Sequence, residues 1–421
     1  DIPVLYKQNV ANDLFQLIYV FDMGNNHDKA LGTAFDYLEY LGTSDMTPEE
    51  LKSEFYRLAC TFYVSPGNER TYVVLSGLNE NMPAAVQLFE KLLADAQVNK
   101  EAYTNMTSDI LKARSDAKLN QGQNFSRLMS FAMYGPKSPA TNLLTEAELT
   151  NMNPQELVDR IHNQNNYKHR ILYYGPSSSK DLLATIEQYH QVPATLKDIP
   201  AGNEYSYLET PATKVLVAPY EAKQIYMAQI SNLDKKYDPA IEPTRELYNE
   251  YFGGGMNSIV FQEMRETRGL AYSAWASIMP PSYLKYPYVL RTQIATQNDK
   301  MIDAVTTFND IINNMPESEA AFKLAKDGLT NRLRTERIIK GDIIWTYINA
   351  QDLGQSVDPR IKLYNDVQTM TLKDIVDFQK EWVKGRTYVY CILGDKKDLD
   401  MNKLKAVGPI EELTQEQIFG Y

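Results

Sequence analysis

EYFGGGMNSIVFQEMRETRGLAYSAWAS, residues 250–277, is the most informative stretch of this 421-residue chain. Three consecutive glycines, Gly253, Gly254 and Gly255, permit a tight or left-handed backbone path that side chains with a Cβ resist. Asn257 or Ser258 can cap a helix beginning just after them, and Gly269 can stop it. A phosphate-cradling loop is a poor reading, since neither a GK[ST] nor a GxGxxG pattern follows a strand here. Arg265 and Tyr272 stand seven residues apart across the helix and its stop. A guanidinium can hold a carbonyl or carboxylate through charge-assisted hydrogen bonds. A phenol can donate to an oxyanion as it develops, and losing one such donor typically costs ~10²–10³ in rate. Taken alone, the pair reads as a solvated helix arginine and a core tyrosine. Arg268 competes with Arg265 for the role of solvent-facing charge.

Outward from this stretch, the chain repeats itself. YNEYFGG near residue 248 echoes YLEYLG near residue 37. RTQIATQNDKMIDAVTTFNDII (291–312) echoes VLSGLNENMPAAVQLFEKLL (74–93), each a strand, a polar turn and an amphipathic helix. MTLKDIVD (370–377) matches MNPQELVD (152–159), and TYVYCILGDKKDL (387–399) matches HRILYYGPSSSKDL (169–182). Four pairs in one order, at offsets of roughly 211–219, indicate a duplication. The spacing therefore predicts two α+β domains of about 210 residues, over 1–200 and 201–421. The boundary falls in QVPATLKDIPAGNEYSYLETPATK (191–214), which is broken by prolines and lacks a helical period. Apolar or alternating runs at 14–23 and 224–230 predict strands, and 47–59, 100–118, 320–340 and 371–384 predict helices. Strands and helices without strict βαβ alternation predict a mostly antiparallel sheet covered by helices in each domain.

Composition narrows the function. Apolar content of 43% and charged content of 23% are those of a folded protein. A net charge of −11 disfavours nucleic acid as a partner and leaves cationic ligands open. No run of about 18 apolar residues exists to span a membrane. Cys60 and Cys391 make neither a disulfide framework nor a thiolate metal site. The sequence begins at Asp1 without an initiator methionine, which predicts a processed chain or part of a longer one.

The 250–277 segment resembles the glycine-rich loop and following helix of the pitrilysin/insulinase family of zinc metallopeptidases. In that family an arginine and a tyrosine seven residues apart lean over the zinc site from the other half of the molecule. Arg265 and Tyr272 match them, within RETRGLAY. The duplicated domain, the strand–turn–helix after each motif and AMYGPKSP (132–139) fit the same family, so the resemblance covers essentially the whole chain.

The resemblance also implies where a metal site should be. Family enzymes carry H-x-x-E-H on the first helix of the catalytic half; its two histidines bind Zn²⁺ and its glutamate activates water. Laid on this sequence, the motif falls on DYLEY: Asp36 and Tyr40 replace the two histidines, Glu39 matches the base, and the third ligand falls at or beside Asp109. The four histidines, His27, His162, His169 and His190, offer no i, i+4 pair on a common helix and read as surface or structural residues. Asp36, Glu39 and Asp109 would suit a hard ion such as Mg²⁺ or Ca²⁺ only weakly. The second repeat is no better, with Tyr248, Glu250 and Tyr251 at the corresponding helix. The expectation is a chain without metal or other cofactor, with zinc in a partner half.

What the resemblance implies, then, is the zinc-less half of a zinc peptidase. It would close a peptide-binding chamber against an H-x-x-E-H half, on the same longer chain or a separate subunit, and supply Arg265 and Tyr272 to peptide hydrolysis. Gly253–Gly255 would form the substrate loop; the compartment is not written in the sequence, and the periplasm stands only as a guess. Two alternatives stand beside it. One is a structural or binding protein of the same fold; the other is an enzyme using Asp36 and Glu39 for acid–base chemistry.

Overall fold

The computed structural model describes residues 2–421. Two compact units emerge, each with its own core. The first comprises residues up to Asp116, Asn142–Glu204 and Ile339–Trp345; the second comprises Ala117–Thr141, Tyr205–Ile338 and Thr346–Tyr421.

The first unit is built on a five-stranded sheet of β1 (Val4–Gln8), β2 (Leu14–Phe21), β3 (Cys60–Pro66), β4 (Thr71–Leu78) and β5 (Arg170–Gly175), in the order β1-β5-β2-β4-β3. Only the β1–β5 pairing is parallel. The run LFQLIYVF of β2 is buried at nearly every position because it lies mid-sheet with protein on both faces. Phe15, Leu17, Tyr19 and Phe21 pack under the helices Leu31–Leu38, Met82–Asp95 and Gln155–Asn163.

The second unit is built on β6 (Lys214–Ala218), β7 (Gln224–Lys236), β8 (Ser273–Met279), β9 (Pro287–Gln297), β10 (Val389–Leu393) and β11 (Ile410–Glu412), in the order β11-β6-β10-β7-β9-β8. Helices Glu242–Phe252, Met301–Asn313, Glu319–Thr335 and Leu372–Trp382 bury their apolar sides against one face. Helix Gln121–Tyr134 covers part of the other, setting Phe125, Leu128 and Met129 against Leu216, Ala228 and Cys391.

The duplication is legible in the ladders themselves. Gln16 pairs with Tyr174 as Tyr226 pairs with Leu393, and Leu14 pairs with Leu78 as Gln224 pairs with Gln297. The fold is therefore α+β, two similar units of mixed, mainly antiparallel sheet flanked by helices. Of the expected helices, 100–118 is realised in full as Lys100–Lys118, and 47–59 as Pro48–Arg57 behind the Thr47 capping box. The stretch 320–340 yields a shorter helix, Glu319–Thr335, and 371–384 yields Leu372–Trp382.

Candidate functional site

Arg265 and Tyr272 are brought together in the second unit. Ser258 caps the helix that carries Arg265, its hydroxyl accepting from the Phe261 N–H at 3.4 Å. That helix opens as α over Ile259–Phe261 and widens to a π-helix over Gln262–Thr267. Gly269 then takes a left-handed φ of +57°, which ends the helix and sends the chain into β8. The Tyr272 N–H joins the sheet through the Ala295 carbonyl at 2.9 Å. These constraints place the Arg265 guanidinium 5.0 Å from the Phe261 ring centroid and 5.7 Å from that of Tyr272. Cation–π attraction to two rings steadies the guanidinium without consuming its outer donors. Its nearest acid, Glu266, stands 3.6 Å away, and Tyr272 is 70% exposed. Arg268 faces Glu263 at 3.6 Å. The arrangement offers solvent a guanidinium and a phenol side by side, the two donors a carbonyl or an oxyanion would accept.

The three glycines do different things. A Cβ on Gly253 would lie 2.2 Å from the Ala276 carbonyl oxygen, so this residue is glycine because the end of helix Glu242–Phe252 presses against β8. A Cβ on Gly254 would meet the Asn249 carbonyl at 2.8 Å, whereas Gly255 faces open space. Two of the three are thus explained by packing alone.

At DYLEY the helix is shorter than the spacing predicts. It runs Leu31–Leu38, with Glu39 as its C-cap, because Tyr40 and Leu41 donate to the carbonyls three residues back, tightening the last turn. Asp36, Glu39 and Tyr40 are all exposed, and so is Asp109 on helix Lys100–Lys118. Although the side chain is exposed, partial desolvation of its carboxyl by neighbouring protein, then repulsion from Glu39, raises the Asp36 pKa. The residue that matters structurally is Tyr37, which the motif reading passes over. Fully buried, it donates to the Asn99 carbonyl at 2.6 Å and accepts from the Asn99 N–H at 2.9 Å. Tyr251 does the same in the second unit, donating to the Pro316 carbonyl at 2.8 Å and accepting from the Ser318 N–H at 3.0 Å. Sequence matching sets Tyr37 against Tyr248; by role it corresponds to Tyr251, one helical turn on. The phenol of Tyr248 instead donates to Gln379.

Among the described residues, no group of three or more His, Cys, Asp or Glu side chains could hold a metal ion. Two histidines missed as a pair do meet: His169 and His190, buried in the first unit, have their Nε2 atoms 2.8 Å apart. Their separation by 21 positions in sequence hid the contact.

A family description, the peptidase M16 inactive domain, matches residues 170–329. The non-peptidase homolog YmxG of Helicobacter pylori is 24% identical, over 94% of this chain and 92% of that protein. Residues 170–329 thus match the inactive domain of the M16, or pitrilysin/insulinase-type, metallopeptidases, and the chain as a whole is similar to an inactive half of that type. The peptidase M16 inactive domain from Pseudomonas fluorescens superposes with a TM-score of 0.71 at 16% identity, covering 93% of this chain and 95% of that one. The Escherichia coli periplasmic protease PqqL superposes with a TM-score of 0.73 at 14% identity, covering 93% of this chain but only 44% of PqqL. The zinc of M16 enzymes does not fit this chain: a carboxylate and a phenol stand at the two imidazole positions, and Tyr40 lies beyond the helix end. No helix among the described residues is long and apolar enough to cross a membrane.

Proposed function

We propose that this M16 half closes a peptide-binding chamber against an H-x-x-E-H half, in the same longer protein or a separate subunit. In this role Arg265 and Tyr272 hold the substrate carbonyl and donate to the oxyanion formed there, while zinc and its water belong to the partner half. The observation that carries the reading is the Arg265–Tyr272 pair, with the guanidinium 5.7 Å from the centroid of a ring that is open to solvent. The periplasmic location of PqqL favours the same compartment for this protein.

The test mixes the full chain with a zinc-bearing H-x-x-E-H half and follows peptide cleavage. Activity should appear only in the mixture. Arg265→Ala or Tyr272→Phe should lower kcat/KM by ~10²-fold, the scale for one lost oxyanion donor. The designation of YmxG as a non-peptidase homolog favours a second reading, a binding or scaffold protein without a catalytic partner. That reading is selected if mixing yields no cleavage while peptide binding to the chain persists.

A further inference from the structure

Helix Ser179–Tyr189 ends on His190, and His169 stands one residue before β5. Glu90, on helix Met82–Asp95, completes a buried chain of contacts. His190 Nδ1 lies 2.7 Å from Glu90 Oε1, His169 Nδ1 lies 2.7 Å from the Tyr167 carbonyl, and the two Nε2 atoms face each other at 2.8 Å. The ring planes are perpendicular, with centroids 5.0 Å apart. That separation exceeds the nitrogen–nitrogen distance by nearly the two ring radii, so the tips meet head-on and do not converge on a third point as ligands of one metal ion would.

The protonation state follows from the partners. A carbonyl oxygen only accepts, so His169 Nδ1 carries a hydrogen. The Glu90 carboxyl accepts the Asn165 amide at 2.9 Å and lies against the Tyr19 hydroxyl, which fits the ionised acceptor and requires a hydrogen on His190 Nδ1. With both Nδ1 atoms protonated, two neutral imidazoles would press bare Nε2 lone pairs together at hydrogen-bond distance. One further proton removes the conflict.

We propose that the His169–His190 pair binds a single shared proton, so that His190 is an imidazolium locked between the Glu90 carboxylate and a neutral His169, and that this proton latches residues 190–199. This chain segment leaves His190 and is tied again where the Lys197 N–H donates to the Asn166 carbonyl at 2.7 Å. Between those ties it walls an open cavity of about 1280 Å³, with His169 and His190 also in its lining. Glu187, Asp22, Lys168 and Arg170 surround the same cavity, while Tyr19 and Glu90 face the pair from within. A second proton would create two imidazolium rings facing each other through their Nε2 atoms, with the Glu90 carboxylate in contact with His190 alone. The latch therefore holds at neutral pH and opens in acid, freeing the cavity wall.

Imidazole ¹⁵N NMR of the full chain at pH 7 should show His190 with both nitrogens protonated and His169 with a hydrogen on Nδ1 alone. Two neutral rings, or stoichiometric uptake of added Zn²⁺ or Ni²⁺ by the pair, would overturn the proposal. Hydrogen exchange reads the latch independently. Corrected for intrinsic rates, protection of 190–199 should fall about tenfold per pH unit below the onset of opening, as uptake of one proton requires. In the His169→Gln variant, whose amide can still accept from His190, that slope should vanish. A slope unchanged in the variant would refute the latch, and because the NMR uses the unmodified chain, misfolding of the variant would not spare it.

Discussion

Replacing Tyr37 by phenylalanine tests whether the DYLEY helix is now an architectural element. The phenol is fully buried, and its two hydrogen bonds hold Asn99, the residue from which helix Lys100–Lys118 springs. Each bond contributes about 1 kcal/mol net, and Asn99 itself is exposed, so water can repair part of the loss. The expected cost is about 2 kcal/mol, with no change in core packing because the ring remains. Two units need not unfold as one, which makes a single global midpoint a poor measure. Amide exchange of Asn99 and the first turn of the helix reads the local opening directly. A 2 kcal/mol loss would speed it roughly 30-fold. Tyr40→Phe, at an exposed position, should leave it unchanged. Tyr251→Phe should produce the same acceleration at Ser318 in the second unit, where the same pair of bonds is made. Exchange at Asn99 within threefold of the unmodified protein, or equal effects of Tyr37→Phe and Tyr40→Phe, would refute the reasoning.

Gly253→Ala should destabilise the second unit by about 1–3 kcal/mol, the usual cost of overpacking, whereas Gly255→Ala should stay within about 0.5 kcal/mol; urea unfolding of the two variants separates them. Burial first, and then the neighbouring His190, push the His169 pKa from 6.5 down to about 4. At His169 the unfolded chain therefore binds more protons between those values, so the contribution of this residue to the first unit is fully present above pH 6.5 and is lost as pH falls towards 4. The loss, on the order of 3 kcal/mol, is measurable by urea unfolding across that range and should be absent in His169→Gln. Restoring histidines with Asp36→His and Tyr40→His together should still give no stoichiometric zinc by elemental analysis, because the helix ends at Leu38 and the two positions do not sit one α-helical turn apart. One tightly bound zinc per chain would contradict that geometry.

The repeat, the strand–turn–helix units and the capped starts were legible because they depend on local chemistry. The Ser258 cap, the polar turn before Met82 and its counterpart before Met301, and the 100–118 periodicity all act within a few residues. What stayed hidden depends on contacts across the sequence. Nothing near Tyr37 announces that its hydroxyl will meet Asn99, and nothing near His169 announces His190. The same blindness shifted the alignment of the two repeats by a helical turn: sequence similarity favours Tyr248, while the partner loop that defines the role selects Tyr251. Arg265 and Tyr272 lie between these extremes. Their proximity follows from a local helix stop at Gly269, but the attraction that steadies the guanidinium also needs the Phe261 ring.

The packing of β8 bears on how the second unit could engage a peptide. As the last strand of its sheet it would ordinarily offer a free row of backbone donors and acceptors to an incoming strand. At Ile278 that row is taken: the N–H donates to Asn249 Oδ1 at 2.9 Å, and the carbonyl accepts from Asn249 Nδ2 and from Arg245 Nη1, both at 3.0 Å. Arg245 is itself buried and held by Glu242 and Glu246, so the plug is not a loose side chain. One step along, the backbone of Gly253 presses against Ala276. A peptide could not extend a ladder through this part of β8 without expelling the end of helix Glu242–Phe252. Asn249→Ala frees the Ile278 N–H and one of the two bonds to its carbonyl, while leaving Arg245 and Gly253 in place. If the side-chain pair Arg265 and Tyr272 is the means of contact, peptide binding to the chain should be unchanged in this variant and lost in Arg265→Ala. Binding strengthened by Asn249→Ala and indifferent to Arg265→Ala would instead mean that the backbone edge, not the guanidinium, receives the peptide.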